Sequence, residues 1–508
     1  MVTRISGLAS GMDIDAMVKK LMTAESAPLN KLNQQKQLME WKRDNYRETS
    51  VKLVSFLQDK LDALSKSSSI SAQKATITGN TTAVSATATS VASGSLEVEV
   101  TSLATAARIS SVSAPSKTDA TTTDWGDVKL SAIVGSGIDA SSTDQVEVKI
   151  GGASIKIDPQ TETLSSFVNK INSSTTAGVS ALYDSATGKV SITSKTTGLA
   201  GNAIKLEGAG AAVFSALGLN ATVLSGGADA DLKVNGLKIA RSTNSFTING
   251  VQLTLNSATG GTSSKIEVSK DVDTLVTSVK SFVDAYNDVL SFMNSKVSEE
   301  RYSKYAPLSS DQKKDMSDDE ITLWTTKAKS GMLKNDSILT SAIADMRSAI
   351  VEGVKLADGS KIDFTQLGIT TGTYETKGKL ILNTEKLKTA LEEKPEIINN
   401  FLGNNYAASS LNNTYTSDDG ILARMKKISN STLIKLAETA GTSKFSSDLT
   451  AAFLSTSSMG TELTSLDRRI SDLTKKLTMR ETNYYKKFTA METAINKYNN
   501  ISSSLIRS

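Results

Sequence analysis

Neither histidine nor cysteine occurs anywhere in the 508 residues. Imidazole general bases, Ser-His-Asp and Cys-His nucleophiles, disulfides and zinc sites built on His or Cys are therefore excluded. Any catalysis would fall to carboxylates or lysines. The acidic pairs Asp271/Asp273, Asp318/Asp319 and Asp418/Asp419 offer the oxygen donors that hard cations take. None has the spacing of an EF-hand loop, so they read as surface carboxylates. Gly420, after Asp418-Asp419, marks a turn. Gly208-Ala209-Gly210 lacks the third glycine of a dinucleotide loop, and the chain carries neither a Walker phosphate loop nor a nucleophile elbow. No catalytic constellation forms. The expectation is a protein that is not an enzyme and needs no metal or cofactor.

A chain without bond chemistry works through the surfaces its elements present. The stretch 461–508 holds no Gly and no Pro, so nothing in it stops a helix. At steps of three and four its apolar residues form one line: Leu463, Leu466, Ile470, Leu473, Leu477, Tyr484, Met491, Ala494, Tyr498, Ile501 and Leu505. Arg480 and Lys487 interrupt it. A seam this long is a coiled-coil pattern, and as one helix it reaches roughly 70 Å. From Leu29 the same spacing picks out Leu32, Met39, Tyr46, Leu53, Leu57 and Leu64, with Lys36, Arg43, Ser50 and Lys60 at polar slots. Pro28 suits the helix start. The two ends are expected to pair as a coiled-coil stalk, its polar slots setting register and loosening the seam. Two amphipathic helices in separate cores are the alternative.

Charge names no partner. Residues 1–66 hold 11 basic and 8 acidic side chains and 461–508 hold 9 and 5, so the ends carry +7 and the middle −3 of a net +4. That balance supports no nucleic-acid partner. No apolar run is long enough to span a membrane. Asp13 and Asp15 stand where the apolar core of a cleavable signal would lie, so an ordinary signal peptide is not expected and export by another route stays open.

In order along the chain, 1–28 reads as a flexible terminal segment with Asp13 as a helix cap, and 29–69 as the first stalk helix. Residues 70–270 turn to Ser, Thr, Ala and Gly with alternating runs such as Leu96–Val100 and Val146–Ile150. Gly79-Asn80, Gly151-Gly152 and Asn249-Gly250 punctuate them, and a helix is expected over Leu164–Ile171. Two β-rich, hydroxyl-rich heads follow from this, one discontinuous (70–110 with 228–270) and one inserted into it (111–227). Helical spacing returns at Val272, Leu275, Val279, Phe282, Tyr286, Val289 and Met293. Residues 271–460 therefore read as a helical leg domain with a small hairpin, and 461–508 as the closing coiled-coil helix. The fold class is multidomain α+β.

The stretch SGLASGMDIDAMVKKLMTAESAPLNKL (6–32) resembles the N-terminal signature of the flagellar hook-associated protein 2 family, the filament caps. GSLEVEVTSLATAARIS (94–110), SFVDAYNDVLSF (281–292) and LGITTGTYETKGKLILNTEKLKTALEEKPEIINNFLG (367–403) are similar to family segments as well. Lys170-Ile171-Asn172 with Gly178-Val179 resembles a short motif shared with flagellins and hook proteins. Residues 111–144, including Trp125, carry no family pattern.

The resemblance implies a homo-oligomeric ring or plate at the distal tip of the extracellular flagellum. Its partners would be itself, flagellin, hook–filament junction proteins and a type III export chaperone on the C-terminal segment. Gly7, Leu8, Gly11, Met12, Asp13 and Ile14 become filament-contact candidates. Flagellin would fold beneath the plate and be inserted without leaking away. A surface adhesin at the flagellar tip, touching host glycans through the Ser/Thr-rich head, is the alternative reading, and a hook–filament junction protein is another.

Overall fold

Asn249 and Gly250 take φ values of 45° and 76°. A two-residue hairpin needs this left-handed pair, and Asn-Gly adopts it at little steric cost. The turn joins strands Ser245–Ile248 and Val251–Leu255, with Ile248 opposite Val251. The computed structural model describes residues 11–199, 204–219, 224–406 and 414–506. They form two units, one of Ala72–Asp271 and the other of the flanking stretches up to Ser71 and from Val272 onward.

Within Ala72–Asp271 two apolar cores form. The first lies between a five-stranded antiparallel sheet and a three-stranded one. The larger runs in the order Gln73–Gly79, Ser264–Lys270, Ser95–Ser102, Ala230–Val234, Leu237–Arg241. The smaller joins Val84–Ala88 to the Asn-Gly hairpin. Along Ser95–Ser102, Leu96, Val98 and Val100 are buried while Glu97 and Glu99 face water, the period of two that the sequence carries. Leu232, Val251, Leu253 and Ile266 complete this core.

The second core is built from residues between Ala107 and Leu219. Helix Leu164–Ser173 starts at Thr163, whose hydroxyl accepts from the Ser166 amide. It buries Leu164, Phe167, Val168 and Ile171. Asn172 then acts as a strand partner: its amide donates to Ala181 O at 2.8 Å and its oxygen accepts from Ala181 N at 2.7 Å. That pair of bonds gives the Ile-Asn motif a structural role, tying the helix end to strand Val179–Tyr183. Trp125 is buried among these residues, on a 3-10 turn (Trp125–Asp127) inside the stretch without a family pattern.

In the other unit, helices Ile14–Glu25 and Ala27–Ser55 come first, the latter passing into a π-helical turn over Phe56–Leu61. The sequence carries no sign of that turn. Helices Val272–Ser298, Asp318–Lys329, Ser337–Val351, Thr384–Glu393 and Ile421–Ala440 form the body, with a hairpin of Ile369–Thr371 and Leu380–Leu382. Leu275, Val279, Phe282, Tyr286, Val289 and Met293 are all buried, so this seam serves a globular core. Helix Ser458–Ile506 closes the chain. Among the described residues no helix is long and apolar enough to cross a membrane.

Candidate functional site

The two ends of the chain meet along the terminal helix Ser458–Ile506. Asp13 caps Ile14–Glu25, its carboxylate accepting from the Ala16 amide at 2.9 Å. At the far end of that short helix, Glu25 takes an ion pair from Arg480 and the Tyr484 hydroxyl at 2.9 Å. Arg480 first, then Tyr484, hold the Glu25 carboxyl below the usual carboxylate range. Tyr485 donates to Asp15 at 2.9 Å. Further along, Lys36 pairs with Asp467 at 2.6 Å, and this hydrogen bond raises the lysine above its ordinary value. Because the N-terminal partners ascend as the C-terminal ones descend, the helices run antiparallel.

The N-terminal seam divides along its length. Met39 lines a groove with Leu466, whereas Tyr46 reaches the helical body and donates to Asp336 at 2.5 Å. Asp336 in turn caps helix Ser337–Val351 through the amides of Ile338 and Leu339. Tyr46 and Leu53 are buried, while Leu32, Met39 and Leu57 are half-buried. On the terminal helix Leu463, Leu466 and Leu477 are buried, and Ile470, Leu473, Tyr484 and Met491 are half-buried. Tyr498 is 73% exposed. Of the other candidates, Gly7 and Leu8 lie outside the described residues. Gly11 is exposed, Met12 is half-buried, and Ile14 is buried.

Four of the six polar slots make specific contacts. Lys36 and Arg480 carry the ion pairs above. Arg43 donates to Ala440 O at 2.6 Å and Leu454 O at 2.8 Å, and Ser50 bonds Thr442 at 2.7 Å. Arg43 and Arg47 also stack on Phe453, at 4.2 and 4.4 Å from its ring centre. Each of these four has a specific partner because the chain folds back on itself there, which heptad spacing cannot reveal.

One polar cluster went unseen in the sequence. Arg424, fully buried, donates to the carbonyls of Ala349, Gly353, Ser417 and Asp419 at 2.7–2.9 Å and reaches Glu352 at 3.5 Å. Its guanidinium closes the C-terminal turn of helix Ser337–Val351 onto the 417–419 turn. Asp419, read as a surface carboxylate, is instead buried and pairs with Lys427 at 2.7 Å. Arg424 and Lys427 stand one turn apart just after Asp418-Asp419-Gly420, a spacing common on solvated helix faces, so the signal was ambiguous. Among the described residues no group of three or more acidic side chains could hold a metal ion. The site binds helices to one another.

Family models describing the N-terminus and the C-terminus of flagellar hook-associated protein 2 match residues 10–107 and 227–500. A protein of that name from Halalkalibacterium halodurans is 30% identical over 533 residues, covering 98% of each chain. The chain belongs to the flagellar hook-associated protein 2 family. The Escherichia coli K12 protein of the same name is 27% identical over 404 residues, 76% of this chain and 77% of that one. The crystal structure of the D1–D2–D3 domains of the Escherichia coli flagellar cap protein has a similar fold, with TM-score 0.50 at 22% identity. It is matched over 77% of this chain and 96% of its own. The two family models leave 108–226 between them, nearly the span of the second head core, which carries its own apolar interior.

Proposed function

We propose that this chain caps the distal tip of the flagellar filament as a homo-oligomer. Its paired ends engage the filament, and its β-rich unit forms a plate under which exported flagellin folds and is inserted. The observation that carries the reading is the family match at both ends of the chain, the same ends that clasp through Glu25–Arg480 and Lys36–Asp467. A cap must hold the tip yet step as each subunit adds. Exposed ion pairs suit that demand, since each is weak in water and reforms easily. The terminal helix leaves Met479, Tyr498 and Ile501 exposed, a face for a partner helix. Coiled-coil pairing along Leu32, Met39, Leu466, Ile470, Leu473 and Leu477 belongs to this reading. So do contacts of the first turns (Gly11–Ile14) with the filament, type III export, and a chaperone on 461–508.

The test is deletion of the gene with an assay for flagellin in the medium. Capping requires short or absent filaments, monomeric flagellin outside the cell, and rescue by the purified protein. Normal filaments with lost surface attachment would make the chain an adhesin instead.

A further inference from the structure

A groove of about 660 Å³ opens in the helical body between helices Val272–Ser298 and Ser337–Val351 and the hairpin that ends at Leu382. Lys334, Arg347 and Lys377 line it, with Glu375 the one acidic side chain among them. None of the three cations makes a salt bridge among the described residues. Tyr286, only 1% exposed, also lines the groove, and its hydroxyl makes no hydrogen bond to a described residue. Burial keeps this phenol protonated and therefore able to donate. Tyr374, fully exposed, and Val351, 55% exposed, add apolar surface to the lining. The groove is thus built for a carboxylate beside an aliphatic side chain.

The same unit displays that combination elsewhere. At the start of helix Asp318–Lys329, Asp315, Asp318 and Asp319 are exposed and make no ion pair among the described residues. One helical turn on, Leu323 is 66% exposed. We propose that the acidic tip 315–323 of one copy docks into the Lys334/Arg347/Lys377 groove of the next. The contact is head-to-tail, the type of interface that builds a ring when its rotation closes. Its carboxylates meet the three cations and the Tyr286 hydroxyl, and Leu323 meets Val351 and Tyr374. This rests on the homo-oligomeric capping reading and assigns it a surface.

The absence of cysteine gives a clean background for the test. Lys377→Cys protein is mixed with Asp319→Cys protein under mild oxidation, beside a control mixture of Lys377→Cys with Thr478→Cys. Sedimentation of the wild-type chain establishes self-association independently. A disulfide-linked pair formed in the first mixture and not in the control is the expected result. Arg347→Glu should weaken self-association about tenfold or more, and Asp318→Lys with Asp319→Lys should restore it. If the wild type self-associates but cross-linking equals the control, the groove assignment falls while the capping reading stands. So does an Arg347→Glu protein that melts like wild type and associates unchanged. A wild type that remains monomeric at every concentration overturns both.

Discussion

Lys36 and Asp467, 431 positions apart in sequence, hold each other at 2.6 Å across the two ends of the chain. Their exposures of 33% and 54% set the strength of the contact. Water and salt screen such a pair to roughly 0.2–1 kcal/mol. A double-mutant cycle with Lys36→Ala and Asp467→Ala should show coupling in that range, shrinking as salt rises. Coupling that ignores ionic strength would mean the pair is shielded in a way this geometry does not provide.

Glu25 predicts how the clasp responds to acid. Its folded-state pKa is depressed by Arg480 and Tyr484. A depressed carboxylate contributes stability above its unfolded value and loses it as pH falls through the folded one. Helix Ile14–Glu25 should therefore stay docked at neutral pH and loosen below the ordinary carboxylate range. Hydrogen exchange at the Lys19–Met22 amides reads this directly. Glu25→Gln should exchange fast already at pH 7, and equal protection in variant and wild type would remove Glu25 from the clasp.

Arg424 should be the costliest single side chain to lose in the helical body. Arg424→Ala strands four backbone carbonyls and opens a void where the guanidinium lay. Breaking a buried charged cluster of this kind costs about 3–5 kcal/mol. Arg424→Lys keeps the charge but cannot span carbonyls on two segments, so most of the loss should remain. Urea titration followed by helix content measures both variants. A loss under about 1 kcal/mol for Arg424→Ala would mean that other groups recapture those carbonyls.

Why some of this was legible and some was not follows from the range of each interaction. The long terminal helix, the Asn249-Gly250 turn and the alternation at Leu96–Val100 rest on neighbours within a few positions. Local spacing therefore carries them. The seam from Val272 looked like those at the termini, yet Phe282 and Tyr286 are buried in a core. Periodicity shows that a helix has an apolar face and is silent about what covers it. Asp419 makes the same point for charge, since its partner Lys427 is close in sequence but its burial is set by the whole body.

Alkaline pH should unfold the helical body before three of its phenols ionise. Burial first, then Asp336 for Tyr46 and Asp62 for Tyr406, pushes those hydroxyls well above the ordinary tyrosine value, and burial does the same for Tyr286. A raised pKa contributes stability that is full below the unfolded value and is lost as pH rises toward the folded one. Spectrophotometric titration should therefore show a late fraction of phenolate appearing together with loss of helical circular dichroism. Smooth ionisation of all 11 tyrosines in an intact fold would contradict it.

Gly188 offers a way to disturb the second head core alone. It sits at φ 72°, and a Cβ there would lie 2.4 Å from Trp125 Cδ2. Gly188→Ala must displace a buried indole and hold alanine in the left-handed region, a loss of about 1–3 kcal/mol from overpacking alone. The damage should stay in the core that Trp125 shares with Phe167 and Ile192, because Leu96, Val98 and Leu253 belong to the other cluster. Hydrogen exchange should therefore rise at strands Val179–Tyr183 and Val190–Thr197 while Ser95–Ser102 keeps its protection. If filament engagement depends on the paired ends, the variant should still restore filament growth to a deletion strain. A variant with that local loosening and no rescue would place part of the capping work in the second head core.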